Sequence, residues 1–264
     1  MTYSCGIDIG ASALKLVIID EQQRIVARAL RRSGVHYAES AERALQEALT
    51  QGGLDREQIC TAISTGYGRN NVAWVQGSRT EIACHAKGAF HYFRRPMTVI
   101  DIGAQDSKII HLDGEGRRLD FRMNRKCAAG TGAFLEEIAL RLDLPLSSLN
   151  GLAEQSTNEV SLGSFCTVFT ATEILEKIRA GTRVEDIVKG AFRAVAKRIM
   201  EMGWVQDALV MTGGVVAHNP LLAKLAEDVF HTTVLLPPEP QFIGALGAAL
   251  SAAEKAEDHR HADS

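Results

Sequence analysis

The sequence has no long hydrophobic run and no strong charge of either sign. No stretch reaches the roughly 18 uninterrupted apolar residues that a membrane-spanning helix needs. The first residues also lack the basic and then apolar pattern of a secretory signal. We therefore expect a cytoplasmic protein without a membrane partner. The net charge of −3 provides no overall attraction for nucleic acid, so no nucleic-acid partner is expected either.

Cysteine is scarce and is not paired in sequence, with residues at Cys5, Cys60, Cys84, Cys127 and Cys166. An odd count without a C-x-x-C pair argues against a disulfide framework and against a self-contained zinc site. Cys5 and Cys60 lie in apolar strand-like segments and are predicted to be core residues. A Walker-type Gly-x-x-x-x-Gly-Lys-[Ser/Thr] sequence is also missing, which excludes a P-loop ATPase.

The chain does contain an internal repeat. The pentapeptide Ile-Asp-Ile-Gly-Ala occurs around Asp8 and again around Asp101, an offset of 93 residues (101 − 8). A lysine follows each aspartate by seven residues, at Lys15 and Lys108. Each copy shows a strand, an Asp-x-Gly turn and a second strand, which is typical of a hairpin. Small residues in such a turn let backbone amides approach a phosphate, and the aspartate is suited to a metal ion or a water.

The remaining sequence alternates between strand and helix patterns. Helices are predicted over 38–51, 132–142, 185–203 and 243–254, and strands over 59–65, 208–211 and 232–236. This alternation predicts an α/β fold. The repeat predicts two related lobes, residues 1–96 and 97–240. Residues 241–264 are predicted to form a C-terminal helix that returns to the first lobe and ends in a frayed tail.

The two hairpins and the later sequence Thr212-Gly213-Gly214-Val215 resemble the acetate and sugar kinase, heat-shock protein and actin superfamily. The resemblance implies a duplicated actin-like (ribonuclease H-like) two-lobe ATPase fold, with ATP and Mg²⁺ between the lobes. It implies that phosphate contacts come from Gly10, Ala11, Ser12, Ala13, Lys15, Gly103, Ala104 and Lys108. Adenosine contacts are implied for Gly213, Gly214 and Val215.

Further motifs narrow the resemblance. They are Asn-Arg-Lys-Cys-Ala-Ala-Gly-Thr-Gly at 124–132, Cys-Thr-Val-Phe at 166–169, Thr-Gly-Tyr-Gly-Arg-Asn at 65–70, Cys-His-Ala at 84–86 and Phe-Ile-Gly-Ala-Leu-Gly-Ala-Ala at 242–249. Together they resemble the activator ATPases of 2-hydroxyacyl-CoA dehydratases and the related ATPase subunits of benzoyl-CoA reductases. The similarity extends from about residue 4 to residue 252.

This family resemblance implies a homodimer that shares one [4Fe–4S] cluster, and the family's cluster cysteines map onto Cys127 and Cys166. Two cysteines from each of two chains provide the four thiolates that a cubane cluster takes. The resemblance implies that ATP drives a low-potential electron into an iron–sulfur acyl-CoA dehydratase or reductase. A ferredoxin or flavodoxin would reload the cluster. A heterodimer with a paralogue remains open at this point.

Residue roles follow from the same resemblance. Asp8 and Lys15 are expected to contact phosphate or metal, Asp101 to position or activate the hydrolytic water, and Gln105 to assist at the γ-phosphate. The turn Gly130-Thr131-Gly132 is expected to contact the nucleotide. Because a helix is predicted directly after that turn, its positive N-terminal end is expected to lie near Cys127 and to stabilise a reduced cluster. Nucleotide-driven movement of this helix would change the cluster potential.

The sequence also departs from the family pattern. Ala11 replaces a hydroxyl residue, Ala104 replaces a glycine, and Arg125 replaces an acidic residue beside the cysteine. Arg122, Arg125 and Lys126 form a basic patch, which either raises the cluster potential, docks an acidic partner or is simply solvated. Two other functions stay open: a small-molecule (sugar-type) kinase on the same scaffold, and a non-hydrolysing nucleotide-dependent assembly protein.

Overall fold

A computed structural model of the chain describes residues 2–163 and 166–262. Within these ranges the strands are β1 (Tyr3–Ile9), β2 (Ala13–Ile19), β3 (Ile25–Arg32), β4 (Ile59–Thr65), β5 (Met97–Ile102), β6 (Ser107–Leu112), β7 (Arg118–Asn124), β8 (Ala208–Thr212) and β9 (Val234–Leu235). The α-helices are α1 (Tyr37–Gly52), α2 (Glu81–Phe93), α3 (Gly132–Arg141), α4 (Leu149–Glu154), α5 (Thr167–Arg179), α6 (Val184–Met202), α7 (Gly214–His218), α8 (Leu221–Phe230) and α9 (Ile243–Ala262).

The chain divides into two compact units, each with its own sheet. The first unit contains the chain up to Arg95, the turn Gly114–Arg118 and the chain from Gln241 onward. The second unit contains Pro96–Asp113 and Leu119–Pro240. None of the helices that the structure describes is long and apolar enough to cross a membrane.

The first unit is a four-stranded sheet in the order β3-β2-β1-β4, with helices on both faces. One face of β1 and β2 packs against α1, and the other face of β2 packs against α9. Strands covered on both faces read as nearly continuous apolar runs, as β1 and β2 do. The backbone of α9 lies so close to Gly6 that a β-carbon there would be 2.1 Å from Ala245 O, and this close approach accounts for the many small residues in the first half of the helix.

The second unit is a five-stranded sheet in the order β7-β6-β5-β8-β9. Its core joins β5, β6 and β8 to α3, α6 and α8. In both units the central strand pairs antiparallel with the next strand and parallel with a later one. Asp8 pairs with Lys15 in the first unit, and Asp101 pairs with Lys108 in the second. The hairpin predicted twice from the sequence therefore forms twice, in the same register.

Several local predictions need correction. Cys60 is exposed and not part of the core, because β4 is an edge strand whose buried part begins only at Thr61. The strand predicted over 232–236 is reduced to two residues, Val234–Leu235. The last helix continues to Ala262, eight residues beyond the predicted end at 254. Cys5 is fully buried, as predicted.

Candidate functional site

The first hairpin places its functional groups at the turn between β1 and β2. The Lys15 Nζ atom lies 3.4 Å from Asp8 Oδ2, and the Lys15 side chain is 15% exposed. The turn closes with a hydrogen bond from Gly10 N to Ala13 O (3.1 Å), while Ala11 and Ser12 are exposed. This hairpin therefore offers exposed backbone and an accessible ammonium group.

The second hairpin has a different electrostatic arrangement. Lys108 Nζ lies 3.1 Å from Asp101 Oδ2 and 2.9 Å from Asp106 Oδ1, and its side chain is only 3% exposed. Thr212 Oγ1 donates to Asp101 Oδ1 (3.1 Å), so both oxygens of this carboxylate are engaged. Gln105 is exposed at the tip of the turn. The lysine here is clamped between two carboxylates.

Three segments predicted to bind nucleotide meet in the second unit. Gly132 N donates to Gly103 O (2.9 Å) and Ala133 N to Ala104 O (2.8 Å), so the turn before α3 lies against the second hairpin. The side chain of Val215 packs against Gly132. The predicted residues Gly130, Thr131, Gly213 and Gly214 lie on these same segments.

The duplication also includes a threonine–glycine pair that sequence reasoning missed. Thr65 stands opposite Asp8 in the β1–β4 pairing, and Thr212 stands opposite Asp101 in the β5–β8 pairing. Gly66 (φ +91°) and Gly213 (φ +100°) follow, and a β-carbon on either would lie 2.4 Å from a carbonyl oxygen of the neighbouring strand. The identical dipeptide after two parallel strands was the available signal.

His85 belongs to the motif at 84–86, but the sequence assigned it no functional role. This side chain is buried on α2, 6% exposed. A β-carbon on Gly244 would lie 3.0 Å from His85 Nε2 and 3.1 Å from Asp8 Oδ2, so both polar atoms lie close to the start of α9. A single histidine without a paired motif carries no sequence signal for this approach.

The predicted cluster cysteines are both exposed and both belong to the second unit. Cys127 lies in the loop between β7 and α3, where Asn124 accepts from Cys127 N (3.3 Å) and donates to Cys127 O (3.0 Å). Cys166 directly precedes α5, and its carbonyl accepts from Thr170 N (2.8 Å). The residues 164 and 165 lie outside the described chain.

The helix predicted after the Cys127 loop begins at the expected residue, and its closeness to the Cys127 sulfur stays a prediction. The helix that follows, α3, begins five residues later at Gly132, and its amides at Gly132 and Ala133 already donate to the second hairpin. Cys166 lies directly before the first residue of α5, so the macrodipole argument applies to this helix as well.

The segment that leads to Cys166 is anchored by Asp186 on α6. Asp186 accepts hydrogen bonds from the backbone and side chain of Asn158, from Ser156 Oγ and from Thr157 N. These bonds, the Asn158 backbone first, hold the pKa of the Asp186 carboxyl well below its usual range. The chain before Cys166 is thus attached to α6 by the buried Asp186 carboxylate, and an ion pair between Glu159 and Arg193 (2.8 Å) adds a second attachment.

All three residues of the predicted basic patch, Arg122, Arg125 and Lys126, are exposed. The Arg122 guanidinium lies 4.7 Å from the ring centre of Trp204 and donates to Met202 O (3.0 Å). It is therefore held against the second unit by a cation–π contact. Arg125 and Lys126 are exposed beside Cys127.

A cavity of about 630 Å³ lies elsewhere, in the first unit. It is lined by residues of α2, α9 and the turn after β6, among them Lys87, His91, Arg94 and Glu254. Burial, and then the nearby Arg94, lower the pKa of His91. None of the predicted nucleotide residues lines this cavity, so its size does not locate the site.

Two Asp-x-Gly hairpins, each continued by a parallel strand that ends in Thr-Gly, define an actin-like ATPase fold. Two solved structures share it over nearly their whole length. The Acidaminococcus fermentans (R)-2-hydroxyglutaryl-CoA dehydratase component A has a TM-score of 0.92 and 38% identity, with 97% of this chain and 100% of that chain covered. The activator of the 2-hydroxyisocaproyl-CoA dehydratase from Clostridium difficile with bound ADPNP has a TM-score of 0.91 and 38% identity, with 98% and 97% covered.

The sequence comparison agrees. The activator of lactoyl-CoA dehydratase from Anaerotignum propionicum is 40% identical over 258 residues, which is 97% of this chain and 99% of that protein. Residues 5–252 match the BadF/BadG/BcrA/BcrD ATPase family, and the chain belongs to this family. The resemblance drawn from the motifs and the predicted ATPase class are thereby confirmed.

Proposed function

We propose that the protein is an ATP-driven activator that passes a low-potential electron to an iron–sulfur acyl-CoA dehydratase or reductase. The observation that carries the proposal is the arrangement of the second unit. One nucleotide hairpin and two exposed cysteines belong to the same unit, and the helices that follow the cysteines, α3 and α5, pack against each other. The activator role named for the relatives supports the choice of partner.

ATP binding is assigned to both hairpins. The exposed turn around Ala11 and Ser12, together with Lys15, is suited to phosphate oxygens. Mg²⁺ prefers carboxylate oxygens. Lys15 bonds to Asp8 through Oδ2, so Oδ1 keeps acceptor capacity with respect to the part of the chain that the structure describes. Adenosine is assigned to the loop that begins at Gly213, with Gly130–Gly132 alongside.

Hydrolysis is assigned to the second hairpin. Asp101 is fixed on both oxygens by Thr212 and Lys108, which sets its orientation before substrate binds. A carboxylate held in this way can accept a further hydrogen bond from a water and align it with the γ-phosphate. Gln105, exposed at the tip of the turn, is placed to hold that phosphate or the same water.

The cysteines fit a shared [4Fe–4S] cluster. A cubane cluster takes four thiolates, and no group of three or more His, Cys, Asp or Glu side chains within the described ranges of one chain is able to hold a metal ion. Two exposed cysteines per chain match a second copy related by a twofold axis. Val168 and Phe169, next to Cys166, are 72% and 67% exposed, which suits a surface that another subunit covers. When bound, the cluster supplies one-electron transfer.

The start of α5 is the place where nucleotide binding could change the reduction potential of the cluster. Amides at a helix N-terminus favour added negative charge, so a change in the orientation of α5 relative to a bound cluster would change the reduction potential. A ferredoxin or flavodoxin as donor, and a homodimer as the working assembly, complete the proposal.

The test is iron and acid-labile sulfide per chain in anaerobically purified protein, measured with native mass. We expect about two irons per chain in a dimer, because four irons are shared by two copies. Cys127→Ser should lose the iron, whereas Cys60→Ser, which changes an exposed cysteine in the first unit, should keep it. An iron-free monomer after reconstitution would refute the electron-transfer proposal and favour a kinase; nucleotide binding without hydrolysis would favour an assembly role.

A further inference from the structure

The second hairpin and the Cys127 loop are joined by hydrogen bonds that neither nucleotide binding nor cluster ligation requires. Besides the two backbone bonds from α3, Ser107 Oγ donates to Gly130 O. Ser107 is fully buried. The segment from 130 to 133 is therefore bonded to the hairpin at three points, two on the hairpin backbone and one on the Ser107 side chain.

Ser107 occupies the first position of β6, next to the clamped lysine. Because successive side chains of a strand point to opposite faces, Lys108 reaches Asp101 on one face while Ser107 reaches Gly130 on the other. The same short piece of strand thus carries the lysine that holds Asp101 and a link to the cysteine loop. A shift of the hairpin when nucleotide binds moves both.

Asn124 closes the other end of the loop. Its side chain accepts from Cys127 N and donates to Cys127 O, and it also donates to Ala129 O (2.9 Å). Within the loop, Thr131 Oγ1 donates to Ala128 O (2.6 Å). The backbone of Cys127 is therefore held while its side chain remains exposed.

We propose that Ser107 and Asn124 are positioning residues that couple nucleotide at the second hairpin to the placement of Cys127. The inference rests on the proposed function in taking Cys127 as a cluster ligand, but the hydrogen-bonded path lies within one chain. It follows that nucleotide changes the accessibility of the Cys127 thiol even without iron. It also follows that this change depends on the Ser107 hydroxyl and the Asn124 amide.

The experiment measures alkylation of Cys127 by iodoacetamide in the full chain, purified in air with a chelator, with and without ATP and Mg²⁺. Peptide mass analysis gives the rate at Cys127 and, as an internal reference in the first unit, at Cys60. In the wild type we expect nucleotide to change the Cys127 rate by about fivefold or more, a typical allosteric coupling, and to leave the Cys60 rate unchanged.

Ser107→Ala and Asn124→Ala should bring the ratio of the Cys127 rates with and without nucleotide close to one. Ser107→Thr, which keeps the hydroxyl, should restore it. Ser148→Ala is the matched control, because Ser148 bonds only locally, to Pro145 O (2.7 Å). If Ser107→Ala does not fold, Asn124→Ala tests the same path from the other end.

Two results would overturn the inference: equal Cys127 rates with and without bound nucleotide in the wild type, or an unchanged ratio in both alanine variants. Either is distinguishable from failure of the proposed function, because iron content is measured separately. A chain that shows the coupling but binds no iron keeps this inference and refutes the cluster. A chain that binds iron but shows no coupling keeps the proposed cluster and refutes this inference.

Discussion

Replacing Lys108 with methionine removes the charge between Asp101 and Asp106 and keeps the length of the side chain. At an effective dielectric constant near 20, each Nζ–O contact at 2.9–3.1 Å is worth about 5 kcal/mol before desolvation. Removing one partner of a buried ion pair typically costs about 3–5 kcal/mol, because the remaining charge is left without compensation. At roughly 2–4 °C per kcal/mol, we expect a Tm lower by about 6–20 °C.

Lys15→Met is the matched control, since Lys15 holds the same place in the first hairpin. Its contact to Asp8 is longer, 3.4 Å, and its side chain is more exposed. The expected loss of stability is therefore smaller than that of Lys108→Met, about 1.5 kcal/mol, the value of one hydrogen bond between charged groups. The expected loss of ATP affinity is larger, about 10- to 100-fold, because a charged hydrogen bond to phosphate disappears.

Thermal unfolding and ATP binding of both variants, measured well below Tm, check this asymmetry. Lys108→Met should be the less stable protein, and Lys15→Met the weaker ATP binder. If Lys108→Met unfolds like the wild type and loses as much ATP affinity as Lys15→Met, Lys108 faces the nucleotide. The clamp between two carboxylates would then be refuted.

Three further predictions follow from buried groups. Because the pKa of Asp186 is lowered in the folded protein, its carboxylate stabilises the fold above about pH 4, the ordinary aspartate pKa. This stabilisation is lost as the pH falls through the pKa that Asp186 has in the folded protein. Asp186→Asn should therefore be less stable at pH 7, and its free energy of unfolding, measured by denaturation at a series of pH values, should fall less steeply on the acid side. Gly213→Ala should lose about 1–3 kcal/mol of stability, because Gly213 has a positive φ and a β-carbon there would meet a carbonyl oxygen. Gly151→Ala is the control and should lose none of this, because a β-carbon at Gly151 on α4 would have no atom within 4 Å. Chemical denaturation measures both free energies of unfolding. Burial raises the pKa of Cys84 to about 12, so this thiol stays protonated and inaccessible at pH 8. Iodoacetamide at pH 8 should therefore modify the exposed Cys60 and leave Cys84 unmodified until the protein unfolds, which peptide mass analysis would show.

The hairpins were predictable because each is local: the aspartate and its lysine are seven residues apart and pair directly. The parallel strands β4 and β8 were not predictable as counterparts of each other. Thr65 at the end of β4 follows Asp8 by 57 residues (65 − 8), whereas Thr212 at the end of β8 follows Asp101 by 111 residues (212 − 101). Different insertions between the strands hide the repeated Thr-Gly pair. The repeated dipeptide is a signal in the sequence, but only the parallel pairing shows that it holds the same place in both repeats.

The sequence also treated the two lysines as equivalent, and the structure separates them. The difference comes from Asp106, whose counterpart in the first repeat is Ala13 (106 − 93). A carboxylate in the second turn captures Lys108, and a methyl group in the first cannot capture Lys15. Electrostatic partners across a turn depend on side-chain direction, which a motif comparison does not contain.

The close packing of α9 on β1 has a consequence for synthesis on the ribosome. The first unit contains both the first and the last segments of the chain, and Gly6 is covered only when α9 arrives. The second unit, whose segments all precede Gln241, is fully synthesised first. Domains generally fold in order from the N-terminus. Here the sheet of the first unit, whose strands are synthesised first, is covered on both faces only after α9 has been synthesised.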